Sequence, residues 1–530
     1  MTTRRLLFVV LLSVLIPFTA VLFHRLTYTN QQSTFPSSFT TGDMATPNTR
    51  PVIVVGAGLA GLSASLSALR AGAPSVRLLE RAAKPGGNSI KASSGINGAP
   101  TQFQPVAKLG IDESFWEDTV RSAGARLRDA SVSDQKHREA LISTLTNRSA
   151  SAIDFLVDLG VDLSVVALLG GHSYPRTHRG AGKTPPGAAI ITAMLNKLKE
   201  QGEDKFQLLT NCEVTMLLTD DDNKVTGVEY KLSSSEPPQT IQGPVIFTTG
   251  GFAGDTHGLL AKYRPDLDGM PSTNDPRPGA HSILAEVGAQ LVDMDSVQIH
   301  PTGFVDPASP DSRVKFLAAE MLRGEGGILL HKGKRIFNEL DTREKVSNTI
   351  MALPPAQDEG STLRQWDVQL LLDPGATDAA AGHVGFYLWK GLLQKKKMKE
   401  LDSQTRQTLF EYAQIVAGQT KDSFGRKEFG HWSLKPEEIE EGEKEVCFGR
   451  VTPITHFCMG GAVFNERSQI LRSKLGDEEG GEKTIEGLWA AGEITGGLHG
   501  DNRLGGSSLL ECVVFGRIAG EQAAAAVVKK

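Results

Sequence analysis

Short runs of aliphatic residues that end in turn residues recur along the chain, at 51–55, 76–79, 245–251 and 487–493. Continuous apolar runs of this length are typical of strands that are covered on both faces of a parallel sheet. The first run is followed by glycines and then by an Ala-, Leu- and Ser-rich stretch to residue 71, which predicts a buried helix. The pattern therefore predicts an α/β fold in which strands and helices alternate.

The first run leads into the spacing G-x-G-x-x-G at residues 56–61. Gly56 permits a tight turn, Gly58 lets a pyrophosphate approach the backbone, and Gly61 lets the helix close on the strand. The next run ends at Glu80, the place where an acid binds a ribose hydroxyl. Strand, glycines, helix and acid together predict a Rossmann-like dinucleotide site, with the phosphates at the helix N-terminus.

Three distant segments favour FAD over a nicotinamide as this dinucleotide. Glycines also end the runs at 245–251 and 487–493, far from Gly56 in sequence. A cofactor contacted from all three is long and enclosed by a whole domain, which suits a permanently bound group. Glu213 is predicted on a strand beside the adenine end, and an ordinary exposed acid is the equal alternative.

Length, charge and cysteines exclude several other classes. The 530 residues suggest two or three domains. A net charge of −5 removes the electrostatic case for nucleic-acid binding. The cysteines form no C-x-x-C pair, which argues against a disulfide framework, a zinc finger, an attached haem or a cysteine-ligated iron–sulfur cluster. A lysine run at 395–399 predicts a solvated helix face.

The N-terminal residues predict a targeting or anchoring segment. Arg4 and Arg5 precede an apolar run at 6–23, and the first acid is Asp43. Residues 1–26 fit either an endoplasmic-reticulum signal-anchor, with membrane association through residues 6–23, or a mitochondrial presequence. Residues 27–49 are rich in Ser, Thr, Pro and Asn and predict a linker. A start at Met44 would yield a cytosolic form.

Longer motifs carry a family resemblance from about residue 50 to the C-terminus. They are Glu80-Arg81-Ala82, Pro85-Gly86-Gly87-Asn88-Ser89, Ala92-Ser93-Ser94-Gly95-Ile96-Asn97-Gly98, Gly460-Gly461, Gly492-Glu493-Ile494-Thr495-Gly496-Gly497 and His499-Gly500-Asp501-Asn502-Arg503-Leu504-Gly505-Gly506. Together they resemble the flavoprotein family of soluble fumarate reductases. That family includes fungal fumarate reductases and flavocytochrome c, and it is related to the flavoprotein subunits of succinate dehydrogenase.

The resemblance implies one FAD per chain. The implied contacts are Gly56, Ala57, Gly58, Gly61, Glu80, Arg81, Gly86, Gly87, Asn88, Ser89, Ser94, Gly95, Asn97, Gly98, Glu213, Val214, Thr249, Gly250, Gly251, Gly492, Glu493, Arg503, Gly506, Ser508 and Leu509. In membrane-complex relatives a histidine in the segment after the Gly-Gly pair bonds covalently to the flavin. Residues 88–92 contain no histidine here, so noncovalent FAD is expected.

Basic side chains stand beside several of these glycine turns. His300 follows a strand-like run, Arg343 lies in Asp-Thr-Arg-Glu, His456 precedes Gly460-Gly461, and Arg503 lies in the Asn-Arg-Leu-Gly-Gly turn. If they converge, two arginines and two histidines suit a small dianion, because arginine offers a fork to a carboxylate and histidine a directed donor. Taken singly, each also fits a packed core residue, a helix surface residue or a turn residue.

The resemblance gives these residues roles in reducing fumarate to succinate by hydride transfer from flavin N5. Arg503 and His456 would hold one carboxylate, and His300 with Thr302 the other, beside Gly506. Arg343 would protonate the adjacent carbon. Glu320 and Arg323, three positions apart, would return the proton to Arg343, and a surface ion pair is the alternative. Bacterial relatives tend to carry threonine before this glutamate, where this chain has Ala319.

The expected architecture is a discontinuous Rossmann-like FAD-binding domain, residues 50–294 and 457–530, with an inserted α+β capping domain at 295–456. His300 and His456 lie at the two ends of the insert, so closure would bring both onto substrate and exclude water. The electron donor is expected to be diffusible, either reduced free flavin or NADH.

Two further functions compete with fumarate reduction. The same fold could serve a 3-ketosteroid dehydrogenase or a urocanate-type enone reductase. Steroids would need tyrosine donors and an apolar cavity, and urocanate has one carboxylate, so the basic residues argue against both. A membrane-tethered flavin-binding redox sensor without turnover is the alternative from another class, and it would not need Glu320, Arg323 and Arg343 together.

Overall fold

The computed structural model describes residues 50–182, 184–232, 236–356, 361–473 and 483–528. The predictions for the segment 6–23, the linker 27–49 and Met44 lie outside the described residues. Within the described ranges, no helix combines the length and the apolar composition that crossing a membrane requires.

Strands and helices both occur throughout the described residues, and some lie in uninterrupted groups, such as the five helices between residues 97 and 165 and the five strands between residues 206 and 247. The strands are β1 Val52–Val55, β2 Val76–Leu79, β3 Ile96–Asn97, β4 Val165–Ala167, β5 Thr177–Arg179, β6 Phe206–Leu209, β7 Glu213–Thr219, β8 Val225–Lys231, β9 Gln239–Gln242, β10 Val245–Phe247, β11 Leu291–Val292, β12 Val297–Phe304, β13 Phe316–Leu317, β14 Ile328–Leu330, β15 Val368–Leu372, β16 Gln394–Lys397, β17 Glu445–Cys458, β18 Gly461–Val463, β19 Gln469–Leu471, β20 Thr484–Ala490 and β21 Thr495–Gly496. The α-helices are α1 Leu59–Arg70, α2 Val106–Leu109, α3 Phe115–Ala123, α4 Ala125–Arg128, α5 Val132–Asn147, α6 Ser149–Val157, α7 Pro186–Lys199, α8 Leu259–Tyr263, α9 His281–Glu286, α10 Met321–Gly324, α11 Arg343–Met351, α12 Pro374–Ala379, α13 Ala381–Trp389, α14 Ser403–Val416, α15 Pro436–Glu441 and α16 Ser507–Val528.

The predicted aliphatic runs form the centre of one sheet, with strand order β19-β20-β10-β1-β2-β6. β1 pairs in parallel with β2 and with β10, and β20 pairs in parallel with β10. Only the edge strand β19 runs antiparallel, as is common in such sheets. Because parallel strands end at the same edge, the turns after residues 55, 79, 247 and 490 all open at one side. The α/β prediction is confirmed.

Glycines let the first and last helices of this domain pack closely. In α16, a Cβ on Gly516 would lie 2.6 Å from the carbonyl oxygen of Ala60, and one on Gly520 would overlap that of Ala64. The two helices therefore touch along their backbones, so the C-terminal helix supports the helix that follows the glycine turn. The first and the last helix of this domain, α1 and α16, therefore pack side by side although they are distant in sequence.

A second sheet, with order β13-β12-β17-β15-β14, forms the capping part of the molecule. β12 and β17 are antiparallel neighbours, with Ile299 opposite Thr455. This register brings His300 and His456 side by side. The apolar core on this sheet also includes Phe252, which precedes the predicted insert. The limits 295 and 456 stay a prediction.

The lysine run does not form the predicted helix face. Residues 394–397 are β16, which pairs with β17, and Lys399 lies in a short 3₁₀ turn. Lys397 and Lys399 donate to Glu443 at 2.8 and 2.7 Å. The charges therefore line the edge of a sheet, where they also hinder pairing with another chain.

Candidate active site

One cavity of about 920 Å³ opens at the carboxyl edge of the parallel sheet and extends to the capping sheet. Most of the predicted FAD residues line it: Gly56, Gly58, Glu80, Arg81, Gly87, Asn88, Ser89, Ser94, Gly95, Glu213, Val214, Thr249, Gly250, Gly251, Gly492, Glu493, Arg503, Gly506, Ser508 and Leu509. Arg343 and His456 line the same cavity. The structure therefore joins the predicted cofactor residues and part of the predicted substrate cluster in one space.

The N-terminus of α1 faces this cavity through Gly58 and Leu59. Gly58 is the N-cap residue of α1 and has no side chain that could accept from the first helical amides. Ser89 Oγ accepts from Leu59 N at 3.3 Å. Gly56 has φ +104°, and a Cβ there would lie 2.5 Å from the carbonyl oxygen of Thr248. The turn thus needs glycine at 56, and the helix amides behind it are suited to a pyrophosphate.

Glu80 is buried at the end of β2 and already orders the turn. Its Oε2 accepts from Ala57 N and its Oε1 from Ala82 N, both at 2.8 Å. Each carboxylate oxygen retains a second lone pair, so Glu80 can still accept a ribose hydroxyl. Glu80 lines the cavity, as the ribose role requires.

The far wall of the cavity contains a buried acid, Glu493. Its Oε1 accepts from Cys458 N at 2.8 Å, which links the turn after β20 to the end of β17. Burial raises the pKa of Glu493 to about 7, and the charge of Glu511 adds to this shift. Gly250 has φ +81° and would meet nothing within 4 Å if it carried a Cβ, so the backbone there is open to a ligand. These residues fit the FAD that the sequence predicts.

Arg343 and Arg503 converge on one neutral side chain, Gln298. Gln298 Oε1 accepts from Arg343 Nη1 at 3.0 Å and from Arg503 Nη2 at 3.1 Å. Its Nε2 donates to the carbonyl oxygen of Arg503 at 2.7 Å. One amide therefore holds two buried cations close together without neutralising either, and burial with the nearby Arg343 lowers the pKa of Arg503 to about 9.

Arg503 still has capacity for a ligand. Its Nε is buried and has no hydrogen-bond partner among the residues that the structure describes. The guanidinium also lies 4.3 Å from the ring centre of Phe457, another residue of the cavity wall. A buried donor of this kind is costly unless an acceptor reaches it, so a carboxylate is a suitable occupant.

His300 and His456 form a pair with ring centres 5.3 Å apart. His300 Nδ1 accepts from Thr302 N at 3.2 Å, which leaves the proton on Nε2. That Nε2 is buried and finds no partner within the described part of the chain. Burial, with Arg343 nearby, holds the pKa of both rings well below its usual range. Each histidine is therefore neutral and can donate one hydrogen bond.

Arg343, Glu320 and Arg323 form a buried ionic row. Arg343 Nε donates to Glu320 Oε2 at 2.7 Å, and Arg323 Nη2 lies 3.5 Å from Glu320 Oε1. Burial alone would raise the pKa of Glu320, but the two guanidinium groups hold it below its usual value. The three side chains are almost fully buried, so this row is not the surface ion pair that was the alternative.

Several predicted residues lie behind the cavity wall instead of in it. They are Ala57, Gly61, Gly86, Asn97, Gly98, His300, Thr302, Glu320 and Arg323, none of which is among the lining residues. Asn97 Nδ2 donates to the carbonyl oxygen of Gly505 at 2.8 Å and so shapes the 503–506 turn. The hydroxyl of Thr302 donates to the carbonyl oxygen of Ala318 at 3.1 Å, so Thr302 orients His300 through its amide. Gly61 packs on the carbonyl of Gly56, as the fingerprint requires.

His172 and His178 also support the site from behind. His172 Nε2 lies 3.1 Å from the carbonyl oxygen of Gly505, and its Nδ1 lies 2.8 Å from Arg176 Nη1. His178 Nε2 lies 2.7 Å from Thr101 Oγ1. His172 therefore fixes the turn that carries Arg503, whereas His178 has a packing role.

Sequence reasoning missed Gln298 and Glu511. Gln298 stands two positions before His300 on β12, and period-two alternation along a strand could have placed both on one face. Glu511 is an acid among the apolar residues of helix α16, and this position could have predicted a buried carboxylate. Glu511 Oε2 lies 2.6 Å from His499 Nε2, and Glu511 lines the cavity.

Comparison with known proteins agrees with this geometry. A family model described as "FAD binding domain" matches residues 51–509. The fumarate reductase of Schizosaccharomyces pombe is 39% identical over 506 residues, 92% of each chain. Fumarate reductase 1 of Saccharomyces cerevisiae is 39% identical over 495 residues, covering 89% of this chain and 98% of its own.

Among solved structures, the open conformation of a flavocytochrome c3 fumarate reductase is similar, with a TM-score of 0.66 and 30% identity. The similarity covers 90% of this chain and 78% of that one. The protein binds FAD, in agreement with the cavity and its glycine turns. The chain belongs to the FAD-binding flavoprotein family of the soluble fumarate reductases.

Proposed function

We propose that this protein is an FAD-dependent oxidoreductase that converts fumarate to succinate. The observation that carries the proposal is a group of cationic and neutral donors at one end of the FAD cavity: Arg343, Arg503 and His456 line the cavity, and His300 lies behind them with its ring centre 5.3 Å from that of His456. Two of their buried nitrogens, Arg503 Nε and His300 Nε2, have no partner among the described residues. A planar dicarboxylate would supply acceptors to both ends of this group.

The two carboxylates would be held by different parts of the fold. Arg503 and His456 would bind one, from the 503–506 turn and from the end of β17. His300 would bind the other through Nε2, with its ring fixed by the amide of Thr302. Because β12 and β17 are hydrogen-bonded neighbours, His300 and His456 belong to one sheet, which supports precise placement of the substrate.

Donors at both ends would also polarise the double bond. Negative charge that develops on one carbon during reduction would spread into the adjacent carboxylate, where buried donors already point. Those donors need no reorientation, since Gln298, Thr302 and the backbone hold them in place. Reduced FAD, when bound, supplies hydride to the other carbon.

Arg343 would deliver the proton. A guanidinium is a weak acid, so it can act only if its proton is replaced at once. The contact of Glu320 with Arg343 and its proximity to Arg323 provide such a route through charged neighbours. Burial of the row keeps bulk water from competing for this proton.

The test is anaerobic stopped-flow absorbance of chemically reduced holoenzyme mixed with fumarate. Reoxidation of the flavin with formation of one succinate per FAD is expected. Urocanate and enone steroids are the matched alternatives. Faster reoxidation by either of them, with fumarate inert, would refute the dicarboxylate assignment. Flavin that none of the three reoxidises would favour a redox sensor.

A further inference from the structure

Glu511 is a buried acid that the proposed reaction does not use. It lies on α16 and is 3% exposed. Its neighbours on the helix, Leu510, Val513 and Val514, belong to the apolar core. A carboxylate in such a place has lost its water, and it lowers the stability of the fold unless other groups replace the lost hydrogen bonds.

The helix presents this carboxylate to the FAD cavity. α16 begins at Ser507, and Glu511 is its fifth residue. Side chains on a helix lean toward its N-terminus, so a long side chain at this position reaches back to the first turn. Ser508 and Leu509 of that turn line the cavity, and so does Glu511. The positive end of the helix dipole favours a negative charge there.

The two oxygens of Glu511 have different surroundings. Oε2 lies 2.6 Å from Nε2 of His499, which is also buried. Oε1 is buried as well, but it has no hydrogen-bond partner among the residues that the structure describes. One oxygen is therefore fixed from behind, and the other remains available to a donor. A ligand with an N–H or O–H group would remove the cost of this unpaired acceptor.

Glu511 lies at the end of the cavity where Arg503 lies. The ring centre of His499 is 5.8 Å from that of Phe457, and the guanidinium of Arg503 is 4.3 Å from the same ring centre. Burial lowers the pKa of Arg503, and the charge of Glu511 counteracts part of this shift. Because the ring that reduces the substrate must lie beside Arg503, Glu511 faces the flavin half of the cofactor.

We propose that Glu511 is a further cofactor-binding residue that also sets the reduction potential of FAD. Its Oε1 accepts a hydrogen bond from an N–H or hydroxyl group of the flavin half, and its negative charge lowers the potential. The inference rests on the proposed function for one step, the position of the flavin ring beside Arg503. Its measurements need no fumarate.

The effect on the potential follows from charge. Reduction places additional electrons on the flavin ring, and a nearby anion makes this less favourable. The effect is large in a buried site, because little water screens the two groups from each other. The anion of Glu511 therefore favours oxidised FAD over reduced FAD.

The first test is the midpoint potential of the bound FAD, measured by anaerobic reductive titration with a reference dye at pH 8. Glu511→Gln should raise the equilibrium constant for reduction by about ten-fold or more, which for a two-electron couple is about 30 mV. Glu493 has a pKa of about 7 and is ionised in both proteins at this pH, so the difference reports the charge of Glu511. Glu521→Gln, an exposed acid on the same helix, should leave the potential unchanged.

The same substitution in a His499→Gln background separates Glu511 from its partner. Glutamine at 499 can still donate to Glu511, but it cannot carry a positive charge. Without a cation to offset the carboxylate, Glu511→Gln should raise the potential at least as much as it does in the wild type. A smaller shift in this background would assign the effect to His499 and refute the role of Glu511.

The second test is the affinity of the apoprotein for FAD. Glu511→Leu removes both the charge and the acceptor, so the Kd for FAD should rise about two- to ten-fold, the usual effect of one lost hydrogen bond. Glu521→Leu is the control and should bind as the wild type does. Quenching of flavin fluorescence during titration measures both constants.

Two results would overturn the assignment. They are an unchanged potential in Glu511→Gln and an unchanged Kd for FAD in Glu511→Leu. A loss of thermal stability with both quantities unchanged would show that Glu511 and His499 form a structural pair only. Holoenzyme whose potential and Kd change as expected, but whose reduced flavin fumarate does not reoxidise, would reject the proposed function alone.

Discussion

At the scale of single residues, Gln298 explains how two arginines can stay close together in a buried site. Its carbonyl oxygen accepts from both guanidinium groups, while its amide nitrogen donates to the backbone of Arg503. A carboxylate in this place would neutralise the cations and weaken their attraction for substrate. A neutral amide orients both guanidinium groups and adds no further negative charge to the one that Glu320 already places beside Arg343.

Arg343→Ala should reduce the rate of fumarate-driven flavin reoxidation by about 10²- to 10⁴-fold, the usual contribution of a positioned proton donor. FAD content should stay the same, because the glycine turns and α1 are untouched. Rapid mixing of the reduced variant with fumarate measures the rate, and absorbance gives the FAD content.

The control for this change is Lys345→Ala on the same helix. Lys345 is exposed and pairs with Asp341 at 2.8 Å, a contact of small energy. Its rate should stay within about two-fold of the wild type. Arg343→Ala that turns over at the wild-type rate, with FAD bound, would refute the role given to Arg343.

The raised pKa of Glu493 predicts that the stability of the apoprotein depends on pH. Its pKa is about 7 in the folded chain against a usual 4.5, so between these values the unfolded chain loses the proton while the folded chain keeps it. Stability should therefore fall as pH rises through this window, by about 3 kcal/mol relative to Glu493→Gln. Above pH 7 the difference should stay constant.

Urea unfolding of both apoproteins at pH 5, 6, 7 and 8 measures this difference. Glu486→Gln, an exposed acid on the same strand β20, is the control and should follow the wild type. Parallel stability curves for wild type and Glu493→Gln would mean that Glu493 ionises normally in the folded chain.

At the scale of elements, the two ends of the FAD domain meet where α16 packs on α1. Gly520→Ala should destabilise the apoprotein by about 1–3 kcal/mol, because its Cβ would overlap the carbonyl of Ala64 and push the helices apart. FAD affinity should fall with it, since α1 supplies the N-terminal amides. Denaturant unfolding and FAD titration measure both effects.

Gly385→Ala is the matched control in helix α13. A Cβ at Gly385 would meet nothing within 4 Å, so alanine there should stabilise the helix by up to about 1 kcal/mol. Opposite signs for the two substitutions are expected. Equal, small effects would mean that α1 and α16 can shift apart without cost.

Strand β12 shows what element patterns could predict. Gln298, His300 and Thr302 follow the alternation of a strand, but the family resemblance, and not this pattern, predicted site roles for His300 and Thr302. The partner strand could not be predicted, because β17 lies about 150 residues later and its register depends on the folded sheet. The lysine run at 395–397 was wrongly predicted as helix because pairing with β17 overrides local preference.

At the scale of the whole molecule, the cavity that is suited to FAD is lined by segments that are distant in sequence, from residues 55–60 to residues 503–512, and by residues of the capping part. No covalent link to FAD is expected, because residues 88–92 contain no histidine and the thiols that line the cavity are protonated. Burial raises the pKa of Cys212 to about 12 and that of Cys512 well above its usual value.

Acid precipitation of the holoenzyme should release all of its flavin to the supernatant. Flavin absorbance of the supernatant and in-gel fluorescence of the pellet measure the two fractions. Free FAD added to denatured protein is the control for trapping. Fluorescence that stays with the denatured chain would contradict noncovalent binding.

The sequence by itself determined the α/β class, the dinucleotide turn at 56–61 and the identities of the basic residues. These are local properties, since a buried strand, a glycine turn and an arginine can each be identified from a short segment of the sequence. The four aliphatic runs could also be assigned to one sheet edge, because parallel strands share their carboxyl ends.

Only the tertiary structure decided which of these residues act together. The pairing of β12 with β17, the amide of Gln298 between Arg343 and Arg503, and the burial of Glu320 with Arg323 all join segments that are distant in sequence. Hydrogen-bond geometry and desolvation depend on distances that only the packed chain sets. The charge distribution and the shape of this site therefore depend on the fold, although the sequence supplies all of its residues.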